Sequence, residues 1–153
     1  MNLYLVQHGE AVSKEEDPSR PLSEKGREEV RKAATFITEK KIRVTSILHS
    51  GKNRAQQTAQ ILAEHLNPSE GLKMTEGLEP LAEPSIWSDR LAKTEKDLML
   101  VGHLPHLSRL SGHLLCQNEE KKVIHFHNGG IVCLERDESA FWSINWIIIP
   151  DLL

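Results

Sequence analysis

A chain of 153 residues, 39% hydrophobic and 27% charged, has the composition of an ordinary globular protein, long enough to bury roughly two thirds of the surface its unfolded chain would expose. The formal net charge of −3, with no long basic run, excludes the electrostatic footprint of a nucleic-acid binder. No apolar run reaches the length of a membrane span, and the opening stretch Leu3 to Val6 lacks the basic leader of a signal peptide, so the expectation is one cytoplasmic domain over residues 1–153.

The first predicted element is a buried strand, Leu3 to Val6, which delivers Gln7-His8-Gly9 to its carboxyl end. Ser23 is placed to cap a helix carrying Val30, Ala33, Ala34 and Ile37 at helical spacing, with Gly26 weakening its first turn. Val44 to His49 reads as a second strand. Ser50-Gly51 opens a helix bearing Ala55, Ala59, Leu62 and Leu66, which breaks at Asn67-Pro68. Leu72 to Thr75 suits an edge strand, and Ile86 to Thr94 a weakly patterned helix. Leu98 to Val101 is a further buried strand, ending at Gly102-His103 before a helix with Leu107, Leu110 and Leu114. A strand is expected to carry His125 and His127 on one face. Ile131 to Glu135 and Phe141 to Ile149 suit a terminal hairpin. Cys116 and Cys133 lie far apart in apolar surroundings and read as buried free thiols.

Alternating strands and helices predict an α/β three-layer sandwich, a mainly parallel central sheet with helices on both faces. In such sheets the carboxyl ends of parallel strands share one edge, where ligands bind. Three strand ends then bring together Gln7, His8 and Gly9; Ser50 with Arg54 beyond; and His103. Two imidazoles, a guanidinium and nearby helix N-termini form an anion site that contains a nucleophile. Several donors from different directions suit a tetrahedral phosphoryl group. Ser50 reads either as a helix cap or as a minor phosphate donor. No metal-ligand spacing occurs among the eight histidines.

At these residues the chain resembles the histidine phosphatase superfamily, with its phosphoglycerate mutase-like fold. The family's opening Arg-His-Gly stands here as Gln7-His8-Gly9-Glu10-Ala11. Its Leu-Thr/Ser-x-x-Gly element stands as Leu22-Ser23-Glu24-Lys25-Gly26, and its Ser-x-x-x-Arg-Ala-x-Gln-Thr element runs from Ser50 through Arg54 and Ala55 to Gln57-Thr58. The second family histidine stands in Val101-Gly102-His103-Leu104-Pro105. The short length, Arg20-Pro21-Leu22 and Gly102-His103-Leu104-Pro105 look most like the SixA-type branch, which acts on phosphohistidine in signalling proteins. That branch lacks a large helical cap, and the segment from Gly71 to Leu98 is likewise too short for one.

The resemblance implies a phosphatase that uses no metal or cofactor. His8 is its nucleophile, Arg54 and His103 grip the phosphoryl oxygens, and Gln7, Gly9, Arg20 and Ser50 complete the phosphate site. Glu83 is the implied proton donor, with Glu79 as the alternative. The implied partner is a phosphohistidine-bearing protein, such as a histidine phosphotransfer domain, with neither nucleic acid nor membrane involved. The departure is Gln7, which can donate a hydrogen bond but carries no charge where the family places arginine. Arg20 is placed to compensate. A weakly active or non-catalytic phosphoprotein-binding module is the alternative that this substitution raises.

Overall fold

The computed structural model describes residues 1–153. Its elements follow the chain as β1 (Asn2–Gln7), α1 (Glu24–Glu39), β2 (Ser46–His49), α2 (Asn53–Leu66), β3 (Leu72–Met74), α3 (Pro84–Leu91), β4 (Leu98–Gly102), α4 (His106–Cys116), β5 (Ile131–Arg136) and β6 (Trp142–Ile148). One sheet takes the order β3-β2-β4-β1-β5-β6. The first four strands of that order run parallel, while β5 is antiparallel to β1 and β6 to β5. The sheet is therefore mixed, mainly parallel, with the expected hairpin at one side.

Side-chain alternation along β1 builds the layers. Tyr4 and Val6 join Val30, Ala33, Ile37, Ala55, Ala59 and Leu62 in a core on the α1/α2 face. Leu3 and Leu5 point the other way, into a second core with Trp87, Leu91, Leu107 and Leu110 on the α3/α4 face. Each buried leucine there contributes roughly 1.5–3 kcal/mol by leaving water. No helix is long and apolar enough to cross a membrane.

Several local expectations need correction. The second strand begins at Ser46 rather than Val44. His125 and His127 lie in chain with no regular secondary structure, although the alternation is real: Ile124 and Phe126 are buried in the second core and the two imidazole rings lie 4.5 Å apart. Cys133 is buried but Cys116, at the last position of α4, is exposed. Gly26 is more than a weak helix former. A Cβ there would stand 2.2 Å from the Glu10 carbonyl oxygen. Only glycine lets the first turn of α1 lie against the loop that follows His8.

Candidate active site

Strand register aligns the site. Gln7 pairs with Gly102 and His49 with Val101, so His8, Ser50 and His103 emerge together at the carboxyl ends of β1, β2 and β4. The His8 amide donates to the Gly102 carbonyl at 3.1 Å, and the two imidazole rings lie 5.0 Å apart. Arg54, in the first turn of α2, donates from Nε to His8 Nε2 at 3.3 Å. Ser50 Oγ shares a 2.6 Å hydrogen bond with His103 Nε2. The cap position of α2 belongs to Lys52, so Ser50 is not the helix cap.

The ring of His8 is held in one tautomer. Its Nδ1 lies 2.7 Å from the Gly9 carbonyl, which can only accept, so Nδ1 carries the proton and donates it. Nε2 is left with a free lone pair, which the Arg54 contact requires as well. Burial pushes the His8 pKa down to about 4; the Gly9 carbonyl opposes this, and the Arg54 and Arg20 charges add to it. Burial above all, with repulsion from His8 once it is protonated and from the Arg54 charge, lowers His103 to about 3. Both imidazoles are therefore neutral near pH 7.

Residues outside the expected set fix this geometry. Thr58 Oγ1 accepts the Gly9 amide at 2.9 Å and donates to the Arg54 carbonyl at 2.7 Å. Gln57 Oε1 accepts the Leu22 amide at 2.7 Å. Both belong to the motif that begins at Ser50, so their signal was present but their structural task was not. Asn128 Nδ2 donates to the His8 carbonyl at 2.9 Å, and the Gly129 amide donates to the Gln7 carbonyl at 2.9 Å. Gly129 has φ of 72°, a left-handed turn that the Asn128-Gly129-Gly130 run foreshadows.

Other expected residues stand as follows. Gln7 Oε1 is buried without a partner. Arg20 adopts a left-handed backbone with φ of 47°, and its Nε donates to the Val12 carbonyl at 3.1 Å. Arg20 and Arg54 line the same cleft. Glu83 is 70% exposed at the N-cap of α3, with its carboxylate 3.7 Å from Arg109 rather than against His8 or His103. Glu79 accepts the Gly77 amide at 3.0 Å. His106 is fully buried, with both ring nitrogens unpartnered, and burial lowers its pKa to about 4.

Comparison with known proteins bears on the family and the fold. The sequence profile of the histidine phosphatase superfamily (branch 1) matches residues 3–83, which include the β1 and β2 strand ends. Phosphohistidine phosphatase SixA of Escherichia coli (strain K12) is 26% identical over 155 residues, spanning 98% of this chain and 94% of that one. An uncharacterized protein of Picosynechococcus sp. is 36% identical over 115 residues, 70% of this chain and 68% of its own. The structure of the protein histidine phosphatase SixA complexed with tungstate superposes with a TM-score of 0.87 at 25% identity, covering 99% of both chains. The alpha-ribazole phosphatase from Shigella flexneri shares the fold, with a TM-score of 0.81 at 15% identity over 98% of this chain and 97% of that one. With its profile match, its fold and its paired strand-end histidines in agreement, the chain belongs to the histidine phosphatase superfamily and is a phosphatase.

Proposed function

We propose that the protein hydrolyses phosphohistidine on another protein, a histidine phosphotransfer domain being a fitting partner, through a covalent intermediate on His8. The observation that carries this reading is the tautomer of His8. Nδ1 donates to the Gly9 carbonyl at 2.7 Å, which leaves Nε2 as a neutral nucleophile aimed into the site. Its low pKa keeps it unprotonated throughout the neutral range. That a relative of the same fold is complexed with tungstate, a tetrahedral oxyanion, supports a site for an anion of phosphoryl size.

In the proposed sequence, His8 Nε2 attacks phosphorus in line as the substrate's P–N bond breaks. The departing imidazole takes a proton from water, which a labile phosphoramidate permits. Water then attacks the phosphorus on His8 and releases inorganic phosphate, returning Nε2 to its neutral state. Arg54 turns from His8 Nε2 to the phosphoryl oxygens, its rigid fork matching two of them. His103, Arg20, Ser50, Gln7 and the Gly9 backbone complete the phosphate site. Glu83 is carried over as a proton donor from the resemblance alone, since its carboxylate is directed to Arg109.

Rapid quench of the protein with radiolabelled phosphoramidate tests the reading. An acid-labile phosphoryl adduct is expected on the wild type and none on His8→Ala. Phosphoprotein binding without any adduct on the wild type would instead favour a non-catalytic binding module, the outcome that the unpartnered Gln7 Oε1 leaves as the second reading.

A further inference from the structure

Beside the phosphoryl site lies a cleft of about 350 Å³ with no hydrophobic lining. Four cations line it: Lys14, Arg20, Lys52 and Arg54. They are four of the 19 lysines and arginines of a chain whose net charge is −3, and none of them forms a salt bridge. Glu15, Glu16 and Asp17 belong to the same loop as Lys14 and Arg20 but do not line the cleft, and the Asp17 carboxylate is engaged by Ser19. Unpaired like charges that line one cleft give it a positive potential, which favours the entry of an anion. The loop is nonetheless fixed. Arg20 keeps its left-handed backbone with its guanidinium tied to Val12, and Asn53 Nδ2 donates to the Ser19 carbonyl at 3.4 Å.

Arg54 belongs both to this cleft and to the His8 site, so the two are continuous. A phosphoryl group held by Arg54 and His8 leaves Lys14 and Lys52 facing whatever the substrate carries next to it. We propose that Lys14 and Lys52 form an acidic-segment subsite, which selects phosphohistidine proteins whose phosphorylated residue is flanked by aspartate or glutamate. This rests on the phosphohistidine reading above and names the substrate class that the same site prefers. A free phosphohistidine fills only the phosphoryl site and carries no acidic neighbours to engage the two lysines. Each exposed ion pair changes affinity by roughly two- to five-fold, so the pair together is expected to supply about ten-fold, weakening as salt rises.

The test uses three substrates: two synthetic peptides, each with one phosphohistidine flanked either by aspartates or by serines, and free phosphohistidine. Wild type at low salt is expected to show a kcat/KM about ten-fold higher for the acidic peptide, with the preference lost at high salt. The Lys14→Gln/Lys52→Gln double variant should lose that preference while its rate on free phosphohistidine stays within about two-fold of wild type. Equal wild-type rates on the two peptides, or an equal loss on free phosphohistidine, would overturn the proposal. Fluorescence anisotropy with His8→Ala and the two labelled peptides reads the cleft without turnover. Tighter binding of the acidic peptide there, with no wild-type hydrolysis of any of the three substrates, would leave the subsite standing and remove the phosphohistidine reading. Hydrolysis without preference would do the reverse, and neither hydrolysis nor preference would remove both.

Discussion

Gln7 occupies the position where the family's motif carries arginine, and its buried Oε1 has no partner. A buried acceptor left unpaired costs about 1–3 kcal/mol, and a neutral amide offers the phosphoryl group less than a guanidinium would. Hydrogen bonds to charged groups are worth roughly 1.5–3 kcal/mol, so Gln7→Arg is expected to raise kcat/KM for phosphohistidine hydrolysis by about ten- to a hundred-fold. Steady-state kinetics on the folded variant check this, and an unchanged or lower value refutes it. At this scale the sequence was most informative about residue identity. His8, Arg54 and His103 were legible because three motifs each ended a predicted strand or began a helix. The partner of His8 Nδ1 was not legible, because the Gly9 carbonyl is a backbone group that every residue possesses.

The contact between the N-terminus of α1 and the loop after His8 illustrates the scale of the element. Ser23 caps α1 by accepting the Gly26 amide at 3.0 Å, and the Ser23 amide donates to the Glu10 carbonyl at 2.9 Å. An exposed helical Gly→Ala change ordinarily stabilises by roughly 0.5–1 kcal/mol. Gly26→Ala is expected to do the opposite, because the new methyl meets the Glu10 backbone at 2.2 Å and backbone cannot swing aside. Overpacking of this kind costs about 1–3 kcal/mol and would displace the chain that follows His8. Urea denaturation and phosphatase assay of one preparation should show both losses. A stabilised variant would show that the helix and the loop move independently. From sequence, Ser23 was recognisable as a cap because capping is local, whereas the need for Gly26 arises from Glu10, 16 positions earlier in the chain.

Across the whole molecule, two buried imidazoles, His103 and His106, and the half-buried ring of His8 share one charge state. His8, His103 and His106 have pKa values lowered by burial to about 4, 3 and 4. In the unfolded chain a histidine takes up its proton below about pH 6.5. Between that value and about pH 4 the unfolded state therefore binds more protons than the folded one, and stability falls as pH falls. Their contribution is fully present above pH 6.5 or so and is lost progressively on acidification, by on the order of several kcal/mol for the three together at pH 5. Urea midpoints at pH 7.5 and pH 5 measure the loss. His106→Leu, which removes an unpartnered imidazole without touching His8, should make that dependence shallower. Equal midpoints for wild type at both pH values would mean that these rings are protonated in the folded state.

Periodicity and local chemistry determine much of this protein. Alternation and helical spacing depend on neighbours a few residues apart, so the α/β class, the order of elements, the Ser23 cap and the three chemistry-bearing strand ends could be read from the chain. Parallel strands require their carboxyl ends to share an edge, which made the meeting of His8, Arg54 and His103 an expectation rather than a surprise. Register, burial and long-range hydrogen bonding depend on residues far apart in the chain. Folding alone therefore decided that β4 lies between β1 and β2, that Thr58 and Asn128 hold the His8 loop, and that Ser50 bonds to His103 instead of capping a helix. It also decided that Lys14 and Lys52, unremarkable in their own segments, line one cleft with Arg54, which contacts His8.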